Sequence, residues 1–264
     1  YYYSIQDYPN ALNHFKKAVA IDDKYPSSYN MLGYVHMGMQ NFSEAEAPFK
    51  KYIELIPNEA NPYDSYAEYL LMQGRYDESI KQYEKAFEID PEYVTALIGV
   101  GNNYVFKGDY NKARSYYQQY YDNAFNINQK FAALWWKAVT YVYENNISES
   151  IKILDERSKL ASENNAPNYV INGNAFAGLI LIENGNITEG EKYFNNASDF
   201  TKSLEMDDAT QRMYEIYNDL DKCHLKILKK DFDGAEKDLE VIKAQVEKRQ
   251  VPNEIKYLNL IYGM

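Results

Sequence analysis

The residues of this sequence that could do chemistry are few, and their spacing brings none of them together. The three histidines, His14, His36 and His224, include no pair at metal-ligand spacing. The single cysteine, Cys223, stands next to His224, and adjacent residues point to different faces of a helix. The segment GVGNNY (99–104) lacks the third glycine of a dinucleotide-binding loop and follows no strand pattern. We therefore predict no catalytic residue, no metal and no cofactor, so the chain is not expected to be an enzyme.

The charge balance limits the classes of partner. There are 28 Lys and Arg residues against 39 Asp and Glu, and the net charge is −11 at pH 7. Nucleic-acid binding needs a basic face, so we expect no nucleic-acid partner. No segment approaches the run of about 18 apolar residues typical of a membrane-spanning helix, so we expect no membrane insertion. The 28 tyrosines combine an apolar ring with a polar tip, which suits half-buried packing positions.

The elements that would position any binding residue repeat at an interval of 34 residues. The repeated segments are YPNALNHFKKAVAIDDKY from Tyr8, FSEAEAPFKKYIELIPNE from Phe42, YDESIKQYEKAFEIDPEY from Tyr76 and YNKARSYYQQYYDNAFNI from Tyr110. Each opens on an aromatic residue, with a small residue three positions later and a second aromatic residue four positions after that. These spacings place the three side chains on one face of a helix. A fixed period of this length indicates units that bury their apolar faces by stacking.

A second helical pattern precedes three of these segments. The runs YNMLGYVHMGMQN, YDSYAEYLLMQGR and LIGVGNNYVFKGD each have a small residue at the same place: Gly33, Ala67 and Gly101. Gly74 and Gly108 open a short turn between the two patterns. Ser43 and Glu46 have the spacing of a capping box, which predicts a helix start beside Ser43. Each unit is therefore predicted to be a helix, a tight turn and a second helix.

Over residues 26–127 the chain resembles the tetratricopeptide repeat family, and ESIKQYEKAFEIDP is similar to the family consensus for a second helix. The resemblance implies an all-α fold, a right-handed α-solenoid of about seven stacked antiparallel helix pairs. The expected division of a single solenoid over 1–264 is a truncated repeat (1–25), three regular repeats (26–127), three longer repeat-like pairs (128–252) and the start of a further helix (253–264). The intervals lengthen after residue 127, which predicts longer helices in the C-terminal half. One helix of about 20 residues is expected within 208–230.

The resemblance also implies where a partner would bind. First helices line the concave face in this family, and projecting the register places seven residues there: Asn30, Tyr34, Asp64, Glu68, Asn102, Trp135 and Tyr143. The alternative for Trp135 is that it fills a wider core made by the longer helices. Some family members hold a C-terminal carboxylate with Lys, Arg and Asn, but only Asn102 matches those positions here. We therefore expect no binding of acidic C-terminal peptides, and we expect a basic-amphipathic segment to suit Asp64 and Glu68 better.

The function that follows is a non-catalytic protein- or peptide-binding scaffold. The alternative is a regulatory or sensory domain of a larger transcription regulator or enzyme. The segments IPNEANPYDSYAEYLL and IGVGNNYVFKGDYNKAR resemble exported tetratricopeptide repeat proteins of Bacteroidetes-type bacteria, which favours the periplasm over the cytoplasm. Residues 1–4 align with the last turn of a first helix, and 253–264 read as the opening of another, so we expect a piece of a longer solenoid. The sequence gives neither the oligomeric state nor the identity of the partner.

Overall fold

The computed structural model describes residues 3–4 and 6–249, and within these residues the fold is entirely helical. No β-strand occurs in the described part of the chain. The helices are α1 (Tyr8–Ile21), α2 (Pro26–Gly38), α3 (Phe42–Leu55), α4 (Ala60–Met72), α5 (Tyr76–Ile89), α6 (Thr95–Phe106), α7 (Tyr110–Asp122), α8 (Ile127–Tyr143), α9 (Ile147–Glu163), α10 (Pro167–Glu183), α11 (Ile187–Ser203), α12 (Asp208–Leu228) and α13 (Phe232–Arg249).

The helices form antiparallel pairs joined by tight turns. In the described residues there are six pairs, from α2/α3 to α12/α13. Helix α1 packs on α2 and corresponds to the second helix of a preceding repeat. We call the even-numbered helices α2 to α12 first helices and the odd-numbered ones second helices. Residues with positive φ stand in the turns of the pairs, among them Gln40, Gly74 and Gly108. A left-handed residue after a helix lets the chain reverse within a few positions, which is why glycine recurs there.

The contacts divide the chain into two compact units, and the division falls inside α8 after Ala133. Within the first unit, the predicted small residues are where helices approach closely. A Cβ on Gly33 would lie 2.5 Å from the Phe49 ring, and one on Gly101 would lie 2.3 Å from the Tyr117 ring. Both rings are fully buried. The small and the aromatic columns of the repeat are therefore two halves of one packing contact.

The second unit is built from longer helices, as predicted. Helices α8 to α11 have 17 residues each, α12 has 21 and α13 has 18, whereas α1 to α7 have 12 to 14. The core around α8, α9 and α10 centres on Ala138, Leu154 and Ile180. The core of the last pair centres on Leu220 and Ile242.

The capping box expected at Ser43 and Glu46 is wrong. Helix α3 begins at Phe42, its N-cap is Asn41, and no side chain caps that end. Glu46 instead accepts hydrogen bonds from Tyr66 (2.7 Å) and Arg75 (3.0 Å) in the neighbouring pair. The Glu46 carboxylate therefore connects two neighbouring helix pairs and does not cap the start of α3. The expectations for residues 1–2 and 253–264 lie outside the described residues.

Candidate functional site

The predicted site residues of the first unit occupy two register positions on the first helices. Tyr34, Glu68 and Asn102 each lie six residues before a turn residue of positive φ, respectively Gln40, Gly74 and Gly108. Asn30 and Asp64 lie one helical turn earlier on α2 and α4. The repeated turn fixes the rotation of each first helix, so equivalent residues face the same side of the stack.

Tyr34 and Glu68 join the first helices of two successive pairs. The Tyr34 hydroxyl donates to Glu68 Oε2 at 2.8 Å, and the Tyr34 ring meets the Phe49 ring edge-on at 5.3 Å between centroids. Burial and the neighbouring Glu68 and Asp64 carboxylates raise the pKa of Tyr34 well above its usual value. The phenol therefore stays neutral at physiological pH and acts as a donor to the carboxylate.

Asp64 ends a series of hydrogen bonds that connects neighbouring helix pairs of the first unit. The Tyr52 hydroxyl donates to Asn61 Oδ1 at 2.9 Å, and Asn61 Nδ2 donates to the Tyr93 hydroxyl oxygen at 3.2 Å. The Tyr93 hydroxyl in turn bonds the Asp64 carboxylate. Burial is the main reason why the pKa of Asp64 rises to about 6, and the nearby Glu68 adds to it. Asp64 is a half-buried carboxylate that is still mostly ionised at pH 7.

The two asparagines of the predicted set have different surroundings. Asn102 Oδ1 accepts a hydrogen bond from the Tyr117 hydroxyl at 2.7 Å. Asn30 Oδ1 is buried, and no donor reaches it among the described residues. A buried acceptor without a donor is unfavourable by about 1–3 kcal/mol. Because this atom has almost no surface open to solvent, a donor from outside the chain does not reach it in this conformation.

Four of the six first helices lack positive charge, whereas α8 and α12 contain Lys or Arg. Helices α2, α4, α6 and α10 contain no Lys or Arg, although the chain has 28 of them. The charged residues on these helices, His aside, are Asp64, Glu68 and Glu183. The face that α2, α4 and α6 present in the first unit is therefore acidic and rich in tyrosine, with its cations placed elsewhere.

In the second unit, Trp135 belongs to the packing of α8 rather than standing alone. Its ring lies 4.4 Å from the Phe176 ring between centroids and contacts the core cluster around Leu154. The guanidinium of Arg157, which is 6% exposed, lies 5.2 Å from the Trp135 ring centroid and 4.9 Å from that of Tyr169. Trp135 therefore takes part in the packing of α8 on α9 and α10 while remaining partly exposed, which supports the alternative that the sequence left open.

Tyr143, the last predicted site residue, is 61% exposed at the end of α8. It stands two residues before the turn residue Asn145, as Met72 and Phe106 stand two residues before theirs. Those two side chains are also exposed, by 55% and 63%. Tyr143 therefore occupies the same register position on its own helix, and it lies two helical turns from Trp135.

A groove that the sequence did not predict opens between α10 and α12. Its volume is about 340 Å³, and it is lined by Asn172, Ala175, Phe176, Leu179, Tyr217 and Asp221. Leu179 lies six residues before the turn residue Gly185, the same count that selects Tyr34 and Glu68 in the first unit. Counting back from the turn, rather than along a fixed period, would have found this residue.

Other kinds of site find little support in the described residues. No group of three or more His, Cys, Asp or Glu side chains there could hold a metal ion. His36 is buried, and Cys223 is fully buried with its Sγ donating to Ala235 O at 3.3 Å. Among the helices of residues 3–4 and 6–249, none combines the length and the apolar character needed to cross a membrane.

Comparison with protein families identifies the repeats. Two models described as tetratricopeptide repeat match residues 26–59 and 58–124, and one described as TPR repeat matches residues 1–40. The heat shock protein STI1 of Saccharomyces cerevisiae is 29% identical over an alignment of 122 residues, and the match covers 39% of this chain and 20% of that protein. The chain spans about a fifth of the length of the curated relatives it matches.

Solved structures share the fold over more of the chain. The C-terminal part of a TPR repeat-containing protein from Cytophaga hutchinsonii has a TM-score of 0.57 at 14% identity and covers 97% of this chain and 96% of that one. The type IV pilus biogenesis factor PilW has a TM-score of 0.58 at 17% identity and covers 77% and 90%. At such identities the likeness shows the arrangement of helices alone.

Proposed function

Because this chain is a protein of the tetratricopeptide repeat family, we propose that it is a non-catalytic scaffold whose first helices bind a basic-amphipathic segment of a partner protein or peptide. The family and the fold support protein–protein interaction in general. The observation that carries the finer proposal is the charge of α2, α4 and α6: two carboxylates and no Lys or Arg. The bacterial source of the Cytophaga structure leads us to propose a bacterial origin as well.

The arrangement on α4 favours a cationic side chain. Asp64 and Glu68 lie one helical turn apart, so they face the same way. Asp64 is partly withdrawn from water, which raises its pKa and also strengthens its attraction for an approaching cation. A Lys or Arg of the partner would neutralise this pair, and the Tyr34 ring offers apolar surface beside it.

The same surface disfavours acidic partners. An acidic C-terminal peptide would bring its carboxylates next to Asp64 and Glu68 without meeting a cation on α2, α4 or α6. Like charges brought together at an interface cost free energy and suppress wrong partners.

The test is a titration of labelled peptides followed by fluorescence anisotropy. One set combines Lys or Arg with apolar residues, and the other set ends in Asp and Glu. We expect saturable binding of the basic set only, and weakening of about tenfold in the double variant Asp64→Asn with Glu68→Gln, because both changes keep the shape and remove the charge. The matched control is Glu156→Gln with Glu163→Gln, two exposed carboxylates on the second helix α9. Binding of the acidic set that survives the Asp64 and Glu68 changes would overturn the proposal.

A further inference from the structure

One ionisable side chain of the first unit is buried without a hydrogen-bond partner for one of its polar atoms. His36 on α2 is 9% exposed, and its Nδ1 is buried with no partner in reach among the described residues. Neutral imidazole can leave Nδ1 as a bare acceptor, whereas imidazolium carries a proton on both ring nitrogens. Protonation would therefore place a charged N–H group in the core with nothing to accept its hydrogen bond, which is unfavourable.

The repeat shows which contact His36 belongs to. Leu70 stands 34 residues later, at the same register position on α4, and it is fully buried in a cluster with Ala45 of the preceding second helix, α3. The second helix that precedes α2 is α1, and the residue there equivalent to Ala45 is Ala11. His36 therefore occupies the position at which a first helix packs on the second helix before it, with an ionisable residue in place of leucine.

Two charged side chains face the imidazole from the helices packed on α2. Burial is the main cause that lowers the pKa of His36 below its ordinary value, Lys16 of α1 lowers it further, and Glu44 of α3 raises it. Folding therefore favours neutral imidazole. This contribution to stability is fully present above about pH 6.5, and it is lost as the pH falls through 6.5 towards the lower pKa of the folded chain.

The other charges near α2 do not face His36. Helix α4 brings Asp64 and Glu68 close to Tyr34, and Glu68 accepts the Tyr34 hydroxyl at 2.8 Å. Tyr34 is two residues before His36, so the two side chains point to opposite sides of α2. Glu46 of α3 accepts hydrogen bonds from the neighbouring pair. The charge of an imidazolium would therefore not be neutralised by these three carboxylates.

Helix α1 is the element that protonation of His36 would loosen. It is described in full, and Ala11 is the one residue in it that is buried, whereas α4 buries seven. The Tyr8 ring lies against Gly38 near the end of α2, where an added Cβ would be 2.6 Å from it. Segments with few buried contacts open at the lowest free energy, so a weakened contact between α1 and α2 should show as local opening of α1.

We propose that His36 is a pH-sensitive latch: at neutral and alkaline pH it holds α1 on α2, and its protonation in mildly acidic conditions releases α1 while the rest of the first unit stays folded. This property goes beyond the proposed function and does not depend on what the first helices bind.

The measurement has to be local to α1, because Asp64 titrates in the same range with the opposite sign. Folding favours the protonated form of Asp64, so acid strengthens its contribution while it weakens that of His36. Hydrogen exchange followed by mass spectrometry gives protection factors for the amides of α1, corrected for the intrinsic exchange rate at each pH. We expect the protection factors of α1 to fall several-fold from pH 7.5 to pH 5, and those of α4 and α5 to fall less.

Four variants assign the response. His36→Leu gives α2 the residue that α4 has at the same position, so it should fold and show equal α1 protection factors at both pH values. Glu44→Gln and Lys16→Gln change exposed side chains and should act in opposite directions, the first enlarging the fall and the second reducing it. The matched control is His224→Gln, which changes a partly buried histidine of the second unit whose pKa is also lowered by burial, and it should leave the fall in α1 unchanged.

Three results would overturn the inference. Protection factors of α1 that stay constant between pH 7.5 and pH 5 in the unmodified chain would exclude the latch. A fall that persists in His36→Leu would assign the response to another group. If circular dichroism showed His36→Leu to be unfolded, an equal fall in Glu44→Gln and Lys16→Gln would by itself exclude His36, because both of those side chains are exposed and their charges act on the imidazole with opposite sign.

Discussion

Replacing Gly101 by Ala tests whether the close contact between helix pairs holds the first unit together. A Cβ at this position would lie 2.3 Å from Cε1 and 2.8 Å from Cζ of Tyr117, whereas ordinary contacts begin near 3.4 Å. The Tyr117 ring is 0% exposed, and its hydroxyl donates to Asn102 at 2.7 Å, so it cannot move aside freely. The ring or the helix must shift by about an ångström to admit one methyl group.

The expected magnitude follows from two opposing effects. Gly→Ala inside a helix is favourable by about 1 kcal/mol, because alanine loses less backbone entropy. Overpacking a well-filled contact costs about 1–3 kcal/mol, and a 2.3 Å approach belongs at the upper end of that range. We therefore expect Gly101→Ala to lower the free energy of unfolding by about 2 kcal/mol. Tyr117→Leu removes the ring atoms that a Cβ at position 101 would overlap. In that background, Gly101→Ala should raise the free energy of unfolding by up to about 1 kcal/mol.

The assay is urea unfolding followed by far-UV circular dichroism on the four chains of this double-mutant cycle. A coupling of about 3 kcal/mol between Gly101 and Tyr117 is expected, since the two residues are in direct contact. Lys85→Leu on the exposed side of α5 is the surface control and should change stability by less than about 0.5 kcal/mol. The reasoning is refuted if Gly101→Ala changes stability with the same sign and size in both backgrounds.

Three further outcomes are expected. The pKa of Asp64 is raised to about 6 in the folded chain, so folding favours the protonated carboxyl. This contribution to stability is fully present below pH 4 and is lost as the pH rises through 6. Asp64→Asn should therefore raise the urea midpoint of unfolding at pH 8 and leave it unchanged at pH 4. Tyr34, Tyr116 and Tyr193 each donate to a carboxylate, and burial is the main cause that raises their pKa values, so the folded chain favours their neutral form. The free energy of unfolding should therefore fall as the pH rises above about 10. Unfolding midpoints measured between pH 8 and 11 should fall less steeply when all three tyrosines are replaced by Phe. Asn103 is fully buried and donates at 2.9 Å to a serine hydroxyl and to a backbone carbonyl, so Asn103→Ala should cost about 2–3 kcal/mol in the same unfolding assay, and an unchanged midpoint would contradict this.

The tyrosines, which the sequence assigned to half-buried packing positions, also link neighbouring helix pairs. Tyrosine hydroxyls donate to carboxylates of a neighbouring helix pair in at least three places: Tyr34 to Glu68 at 2.8 Å, Tyr116 to Glu84 at 2.8 Å and Tyr193 to Asp155 at 3.0 Å. A phenol can bury its ring and still satisfy a carboxylate at its tip. An acidic chain can therefore link its repeats through neutral phenol donors as well as through ion pairs such as Arg75–Glu46 and Lys107–Asp77.

The sequence by itself determined the class of fold and the charge of the proposed binding face. The 34-residue period places aromatic and small residues at fixed offsets, and these residues are buried when helices pack on one another. In the structure, Gly33 and Gly101 are positions where a neighbouring helix approaches closely. The absence of Lys and Arg from α2, α4 and α6 is likewise visible in the letters alone. Local spacing fixes these features, so no tertiary information is needed to read them.

Only the tertiary structure decided which side chains of neighbouring helix pairs contact each other. Asp64 and Tyr93 are 29 positions apart, and Trp135 and Phe176 are 41 apart; no local pattern pairs them. In the second unit the period lengthens from one pair to the next, so projection of a 34-residue register does not predict that the Trp135 ring packs on Phe176. The groove between α10 and α12 depends on how far apart those two helices are held by the core beneath them. That separation is set by side-chain volumes from several helices at once, which a one-dimensional pattern does not contain.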